Sequence, residues 1–286
     1  MELYFEETMN QTDNQVHGLW IGKTLSVIEL LTIRSFQKHG YVFNLWIYEP
    51  LETKLPNLVV IRDANEILPQ SSVFFYENKS QFGIGKGSVA GFSDIFRYKL
   101  LYDFGGWWVD MDVTCLQPFY TENPYFFRNH HDLLLVGNVM KTPKHAPVMK
   151  ACFETAIRSV DATNQDWHKP IQILVDNVLK FQLEGAIHSG VSNSDQWDKI
   201  RPFLLEEIEI DPNWKFIHWC NEAWRHDFLN KQEIIYNSTL GKLLLEYELI
   251  PRLTDSEMRL HDSKIRRNAQ RKRWITRLKQ KFSFLK

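Results

Sequence analysis

Two carboxylates, Asp110 and Asp112, follow a short apolar run and form an Asp-x-Asp pair. The preceding run, Trp107 to Val109, is typical of a buried strand, in which residues i and i+2 point to the same side. We therefore expect the two side chains to project together from a strand end, with Cα atoms roughly 6–7 Å apart. Carboxylates so placed can hold a hard divalent ion such as Mg²⁺ or Mn²⁺ together with substrate phosphates.

A helix in front of this strand carries a second charged pair. Ser93 is a suitable N-cap residue, and Asp94 and Arg97 share one helix face at the spacing i, i+3. Gly105 and Gly106 would end the helix and turn the chain directly into the strand. Because this connection is so short, we expect the helix start and the strand end to line one cleft.

Each of these patterns is weak by itself. An isolated Asp-x-Asp in a soluble protein is most often a solvated turn. An Asp-x-x-Arg pair is most often a surface ion pair that contributes about 0.2–0.5 kcal/mol. The ordered combination of S-D-x-x-R, a helix, two glycines, two aromatic residues and D-x-D favours a common site instead.

The stretch 93–112, SDIFRYKLLYDFGGWWVDMD, resembles the signature of the DXD-containing glycosyltransferases grouped with family 32. It is also similar to the glucosyltransferase domain of the large clostridial toxins. Their pattern reads S-D-x-x-R…G-G-x-Y-x-D-x-D, and Trp108 stands here where a Tyr is usual. The resemblance implies an α/β, GT-A-like fold with a Rossmann-type sheet and flanking helices. It also implies sugar transfer with retention at the anomeric carbon.

The resemblance further implies roles for single residues. Asp110 and Asp112 would hold Mn²⁺ or Mg²⁺ against the donor diphosphate. Asp94 would bind hydroxyls of the ribose or donor sugar, and Arg97 the sugar or phosphate side. The other residues expected at the nucleotide-sugar donor are Trp20, Gly22, Ser93, Trp108, Asn221 and Trp224.

Trp20 and Gly22 belong to a W-I-G run at the end of the first expected strand. A Trp in a matching W-I-G stacks on the uracil of the donor in the resembling families, which implies the same role for Trp20. An ordinary core position for Trp20 is the alternative.

A second informative stretch is 216–225, FIHWCNEAWR. Toxin-type enzymes have an N-x-S-x-W element and many family 32 members an H…S-W element; this stretch matches neither fully. The resemblance implies that His218 and Asn221 complete the metal or phosphate shell, and that Trp224 donates its indole N–H to the diphosphate. An ordinary packed histidine is the alternative for His218. Cys220 would suggest zinc, but the sequence has no second pair at ligand spacing.

The apolar pattern alternates between strands and helices and predicts a parallel sheet covered by helices. Ligands of such sheets bind beyond the carboxyl ends of the strands. The expected strands lie at 16–21, 42–48, 58–61, 107–109 and 132–139, and the expected helices at 25–39, 93–104, 147–159 and 171–181.

Residues 81–92, QFGIGKGSVAGF, are rich in glycine but fit neither phosphate-binding fingerprint. The loose G-x-G-x-x-A lacks a strand directly before it. A P-loop would need glycine where Ser80 stands and Ser or Thr where Gly87 stands. A flexible loop beside the donor or acceptor and a plain linker remain equally open.

Charge is unevenly distributed along the 286 residues. The formal net charge is −1, yet 264–286 contains ten Lys or Arg and no Asp or Glu. We expect a catalytic domain at 1–262 and a basic amphipathic tail at 263–286, suited to an anionic membrane surface. A helix that packs on its own domain, or a disordered end, is the alternative. The apolar residues at helical spacing are Trp274, Ile275, Leu278, Phe282 and Leu285.

The stretch 1–10 lacks the features of a signal peptide, and no run of about 18 apolar residues exists. With three cysteines at unpaired spacings, we expect a cytoplasmic protein, peripheral on the inner face of the membrane. The leading hypothesis is transfer of a hexose from a UDP-linked donor to a glycan or lipid-linked oligosaccharide, in bacterial capsule or lipopolysaccharide synthesis. A non-catalytic nucleotide-sugar or carbohydrate-binding protein is the alternative. The acidic body argues against a nucleic-acid partner.

Overall fold

The computed structural model describes residues 14–225, 227 and 229–283, with side chains as far as Ile275. The strands are β1 (Gln15–Trp20), β2 (Val42–Ile47), β3 (Val60–Asp63), β4 (Gly106–Val109), β5 (Val113–Cys115), β6 (Phe126–Asn129), β7 (Leu135–Thr142), β8 (Ile187–His188) and β9 (Phe216–His218). The helices are α1 (Val27–Lys38), α2 (Ala90–Phe104), α3 (Pro147–Ser159), α4 (Lys169–Lys180), α5 (Trp197–Leu205), α6 (Asn221–Arg225), α7 (Thr239–Glu246) and α8 (Asp255–Ser283).

Seven of the described strands form one sheet in the order β3-β2-β1-β4-β7-β6-β8. The first four are parallel neighbours, so their carboxyl ends meet at one edge. The sheet with its flanking helices confirms the expected α/β fold class. The sheet is mixed rather than wholly parallel, because β7 runs antiparallel to both β4 and β6. The short link between β6 and β7 permits no crossover, so these two strands must pair as a hairpin.

Helix α1 supports the turn that follows β4. Ser26 and Glu29 form a capping box at its start, which satisfies two backbone N–H groups reciprocally. One turn later, the buried Thr32 hydroxyl donates a 3.0 Å hydrogen bond to the backbone carbonyl of Met111. The middle residue of the Asp-x-Asp pair is thereby anchored to a helix on a separate part of the chain.

Helix α2 begins a turn earlier than the sequence suggested. It starts at Ala90, and the Ser93 N–H already donates to the Val89 carbonyl at 2.9 Å. Ser93 is therefore an interior residue of the first turn and not the N-cap, which corrects the expectation. The helix ends at Phe104 as expected, and Gly105 follows as its C-cap.

Gly105 makes the close connection from α2 to β4 possible. Its φ of 70° and ψ of −165° lie in a region essentially reserved for glycine. A Cβ atom there would stand 2.5 Å from the backbone nitrogen of Lys144. The chain can therefore turn tightly against the loop that precedes α3 only because this position has no side chain.

Helix α8 runs without interruption across the expected boundary between 262 and 263. Its first half packs on the domain, since Ile265 and Ala269 are buried with residues of α5, α7 and β9. Asp262 accepts hydrogen bonds from the backbone N–H groups of Tyr236 and Asn237. Leu285 lies outside the described residues, as does the stretch 1–10. Within the described part of the chain, no helix has the length and apolar character to cross a bilayer.

Substitution of Gly105 by alanine should destabilise the fold more than the same change at Gly40. Gly40 has a φ of 84° but nothing within 4 Å of an added Cβ, so Gly40→Ala should cost only the left-handed conformation, about 1–2 kcal/mol. Gly105→Ala adds a backbone clash that we expect to cost about 1–3 kcal/mol more. Urea denaturation measures both, and equal losses would contradict this account of the α2–β4 turn.

Candidate active site

The Asp-x-Asp pair lies in a turn and not in an extended strand. β4 ends at Val109; the Asp110 N–H then donates to the Asn138 carbonyl at 2.9 Å, and the Val113 N–H donates back to the Asp110 carbonyl at 3.2 Å. The expected strand geometry of the pair is therefore wrong, because the chain must reverse here to enter β5. The two carboxylates nevertheless converge, since their ligand atoms and one of His218 lie within 4.8 Å of one another.

Asp110 is held by the two preceding elements. The Trp108 indole N–H donates to its Oδ1 at 2.8 Å, and the Arg97 guanidinium lies 3.1 Å from the same oxygen. Arg97 also lies 3.1 Å from Asp94 and above the ring of Trp108. Trp108 is only 1% exposed, so it acts on the site through Asp110. Little of its ring surface is free for the expected contact with the donor.

Burial governs the protonation of the carboxyls on this side. It raises the pKa of Asp94 to about 6, against the opposing effect of Arg97. Burial likewise raises the pKa of Asp110, assisted by the charge of Asp112 and opposed by Arg97. Arg97, itself 5% exposed, is therefore the cation that makes the buried carboxyl of Asp94 and the partly buried carboxyl of Asp110 tolerable in one cleft.

Asp112 faces the other side of the site. Its Oδ2 accepts the Asn221 backbone N–H at 2.6 Å and lies 3.3 Å from Nε2 of His218. Although burial would raise its pKa, His218 and the Asn221 N–H lower it below the ordinary value. Burial would lower the pKa of His218, but Asp112, Cys220 and Asp195 raise it well above the ordinary value.

A small second sheet brings His218 to the Asp-x-Asp turn. β5 and β9 pair antiparallel with Val113 opposite His218, so the histidine stands beside the residue that follows Asp112. The Trp219 N–H donates to the Asp112 carbonyl at 2.9 Å, and its indole N–H donates to Thr114 at 2.8 Å. Strand register thus joins residues that are far apart in the sequence.

Three residues expected at the donor have buried polar atoms that hydrogen-bond to no described residue. They are Nε1 of Trp20, Oδ1 of Asn221 and Nε1 of Trp224. Gly22 adjoins the first of these, since a Cβ there would lie 3.8 Å from the Trp20 indole nitrogen. Buried donors and acceptors without partners are costly, so these atoms suit a polar ligand that completes them.

The residues present fit a divalent ion bound through oxygen and imidazole. Two carboxylates and one imidazole form the group Asp110, Asp112 and His218. Cys220 stands 3.6 Å from Nδ1 of His218, but burial raises the pKa of its thiol. Cys220 belongs to a separate group with Asp195 and His218, and a zinc ion there would have to displace the thiol proton.

Several residues at the site carry no sequence signal that marks them. Asp195, Arg128, Asn138 and Asn193 form a hydrogen-bonded group behind His218, yet they belong to two strands and a loop without a motif. The glycine-rich loop also reaches the site, because the Gly85 N–H donates to Glu222 at 3.1 Å. This contact places the loop beside α6, the helix that also carries Asn221 and Trp224.

Replacement of Arg97 by methionine should destabilise the metal-free protein in a pH-dependent way. The folded-state pKa of Asp94, about 6, exceeds its unfolded value of about 3.9, so the wild type loses stability as pH rises between them. Without the cation that pKa should rise further and extend the loss to higher pH. We therefore expect a cost of about 3–5 kcal/mol at pH 8 and less at pH 5.

The matched control is Arg225→Met, which breaks another i, i+3 ion pair. Arg225 pairs with Glu222, but its side chain is 45% exposed, so we expect a loss of about 0–1 kcal/mol. Urea denaturation in EDTA at both pH values measures the two variants. An Arg97→Met loss that is independent of pH, or equal to that of the control, would contradict the assigned role of Arg97.

Residues 4–132 match the family described as "Glycosyltransferase sugar-binding region containing DXD motif". No curated protein sequence matches the chain significantly. Among solved structures, the chain is similar to the PaToxG glycosyltransferase, with 16% identity, 59% of this chain and 70% of that one covered, and a TM-score of 0.44. It is also similar to a transferase variant in which two cysteines are replaced by serine, with 11% identity, coverage of 63% and 88%, and a TM-score of 0.36.

The matched segment contains Trp20, the charged pair of α2 and both carboxylates of the turn after β4. It therefore includes the acidic half of the site that the geometry brings together. Over this segment, the chain is similar to the glycosyltransferases whose sugar-binding region contains a DXD motif.

Proposed function

We propose that the protein transfers a hexose from a UDP-linked donor to a glycan hydroxyl, with a divalent metal ion at the Asp-x-Asp turn. The observation that carries this proposal is the convergence of Asp110, Asp112 and His218 within 4.8 Å. The unpartnered atoms of Trp20, Asn221 and Trp224 supply the polar and aromatic surface that a nucleoside diphosphate requires.

Each element of the site has a task in this proposal. Mn²⁺ or Mg²⁺ held by Asp110, Asp112 and His218 would supply Lewis-acid stabilisation of the diphosphate leaving group. Asp94 binds hydroxyls of the ribose or the donor sugar. In the metal-free protein, burial raises its pKa to about 6, and its carboxylate oxygens can accept hydrogen bonds from those hydroxyls.

Arg97 holds Asp94 and Asp110 in place and faces the sugar or phosphate side of the donor. The indole ring of Trp20 stacks on the base, and Gly22 leaves room beside it. The indole N–H of Trp224 and the amide of Asn221 contact the diphosphate. Transfer with retention at the anomeric carbon follows from the family resemblance and completes the proposal.

The acceptor belongs to the same proposal. A glycan or a lipid-linked oligosaccharide of a bacterial capsule or lipopolysaccharide is the acceptor that suits an enzyme on the cytoplasmic face of a membrane. The glycine-rich loop, tied to α6 through Gly85 and Glu222, is the segment beside the site that could contact it.

Metal-dependent hydrolysis of nucleotide sugars tests the central site without knowledge of the acceptor. We expect a panel of nucleotide sugars with Mn²⁺ to show slow hydrolysis of a UDP-linked hexose, which EDTA abolishes and Mn²⁺ restores. The double substitution Asp110→Asn, Asp112→Asn should remove it, because the ion loses both carboxylates. Asp211→Asn, in an exposed turn, is the control and should remain active.

Full hydrolysis by the double variant would refute the assigned site. Binding of a UDP-sugar by the wild type without hydrolysis or transfer to any glycan would favour the alternative of a non-catalytic binding protein. Circular dichroism of the double variant checks that the fold persists.

Substitution of Trp20 by alanine should weaken the binding of UDP by about 1–3 kcal/mol, the range of base stacking on an aromatic ring. Trp274→Ala is the matched control, since that indole is 62% exposed on α8, and it should bind UDP as the wild type does. Calorimetric titration with UDP and Mn²⁺ provides the measurement. Unchanged affinity for UDP in a folded Trp20→Ala protein would show that Trp20 is an ordinary core residue and does not stack on the base.

The second half of α8 is proposed as a basic contact with anionic lipid. Trp274 and Ile275 are exposed there, within the segment that holds ten Lys or Arg and no acidic residue. Each basic residue near such a surface can contribute about 1 kcal/mol, and salt screens this attraction. In this proposal 1–262 is the catalytic domain and 263–286 the tail, although the first turns of the tail also pack on the domain.

Flotation with liposomes that contain anionic lipid tests the tail. Because Ile265 and Ala269 are buried, truncation at Asp262 would disturb the core; a chain that ends at Arg273 is the better comparison. We expect the full chain to float at low salt and sink at high salt, and the shortened chain to float less. Equal flotation of both, or flotation of neither, would contradict a membrane role.

A further inference from the structure

The backbone of His218 is clamped by a neighbouring loop. Ser192 forms an isolated parallel bridge with Phe216, so the loop lies along β9. Asn193 hydrogen-bonds to both backbone groups of the histidine. Its Oδ1 accepts the His218 N–H at 2.7 Å, and its Nδ2 donates to the His218 carbonyl at 2.9 Å. The main chain of His218 therefore has little freedom to shift.

The imidazole ring is fixed by the next acidic residue of the same loop. Oδ1 of Asp195 lies 2.5 Å from Nδ1 of His218, a short hydrogen bond of the charge-assisted kind. With Nδ1 turned to Asp195, the other ring nitrogen, Nε2, faces Asp112 at 3.3 Å. The orientation of the ring toward the Asp-x-Asp turn thus depends on Asp195.

Asp195 is itself immobilised from two strands of the main sheet. Arg128 of β6, only 2% exposed, lies 2.8 Å from both carboxylate oxygens. Asn138 of β7 contacts Arg128 at 3.0 Å and Asp195 at 3.4 Å, and Arg128 also donates to the Asn193 carbonyl. Since both oxygens of Asp195 already accept from Arg128, this carboxylate is better placed to support a ligand than to be one.

We propose that Asp195 is a positioning residue that orients the imidazole of His218 so that Nε2 coordinates the divalent ion. A histidine that ligates a metal commonly donates its other ring N–H to a carboxylate, which fixes the ring and increases its basicity. Here Arg128 and Asn138 link Asp195 to the main sheet, and Arg128 also donates to the carbonyl of Asn193. This inference rests on the proposed metal site of the glycosyltransferase.

The test is Mn²⁺ binding to the full-length chain, followed by electron paramagnetic resonance without any sugar donor. Asp195→Asn keeps the shape of the side chain but removes its charge, and we expect Mn²⁺ affinity to fall about 10–100-fold. Asp227→Asn is the matched control: Asp227 is also a buried carboxylate, 2.7 Å from Arg201, but belongs to no described metal-ligating group. It should leave Mn²⁺ affinity unchanged even if it lowers stability.

A spectroscopic readout separates orientation from general stability. Electron spin-echo modulation of bound Mn²⁺ should show coupling to an imidazole nitrogen in the wild type and none in His218→Ala. At saturating Mn²⁺, Asp195→Asn should lose or weaken this coupling, whereas Asp227→Asn should retain it. Asp195→Glu keeps the charge opposite Arg128 but moves the carboxylate by one methylene, so it should fold and show the same weakening.

Each outcome decides between the inference and the proposed function. If the wild type shows nitrogen coupling, and a folded Asp195 variant keeps both the coupling and the Mn²⁺ affinity, the inference is wrong and the metal site stands. Mn²⁺ bound through Asp110 and Asp112 without nitrogen coupling would remove His218 from the ligand set, and Asp195 with it. Absence of Mn²⁺ binding by the wild type would overturn both.

Discussion

Burial of three carboxyl groups around one turn is the constraint on which the site depends. Asp94, Asp110 and Asp112 are each less than a third exposed, and like charges so close would repel each other in a medium of low dielectric. Two cationic groups balance them from opposite sides, Arg97 on one and His218 on the other. A divalent ion between Asp110 and Asp112 would meet the same electrostatic requirement more directly, which is why this charge arrangement favours a metal site.

The fold supplies those balancing groups from separate elements. Arg97 comes from α2, and Gly105 lets that helix turn closely into β4. His218 comes from β9, which pairs with β5, and β5 is the strand that directly follows the Asp-x-Asp turn. Helix α1 stabilises the turn through the hydrogen bond from Thr32 to the Met111 carbonyl. The site is therefore assembled where a main-sheet strand, a helix and a small second sheet meet, and rigid elements hold most of its charged groups.

The part of the site that the sequence predicted is the part encoded locally. Asp94, Arg97, Asp110 and Asp112 lie within one helix–strand unit, so their spacing and the two glycines between them were enough to bring them together. Two local details were wrong, because each depends on neighbours outside the pattern. Helix α2 starts earlier since the Val89 carbonyl is available to Ser93, and the Asp-x-Asp pair bends because β5 must follow at once.

The group behind His218 could not be predicted for a related reason. His218 was suggested by resemblance alone, whereas Asp195, Arg128 and Asn138 come from a loop and two strands brought together by the order of the sheet. Strand β7 lies antiparallel between β4 and β6 and places Asn138 beside both Asp110 and Arg128. The pattern of apolar residues in the sequence does not predict this position. Tertiary pairing, and not local propensity, decides these contacts.

The proposed function depends on the binding of a divalent ion between the two carboxylates of the Asp-x-Asp turn. Its most direct test is anomalous diffraction at the manganese edge from crystals grown with Mn²⁺ and UDP. We expect an anomalous peak within coordination distance of Asp110 or Asp112 and of the UDP phosphates. Crystals with UDP bound but with no manganese peak at these residues, or with the peak elsewhere on the chain, would contradict it.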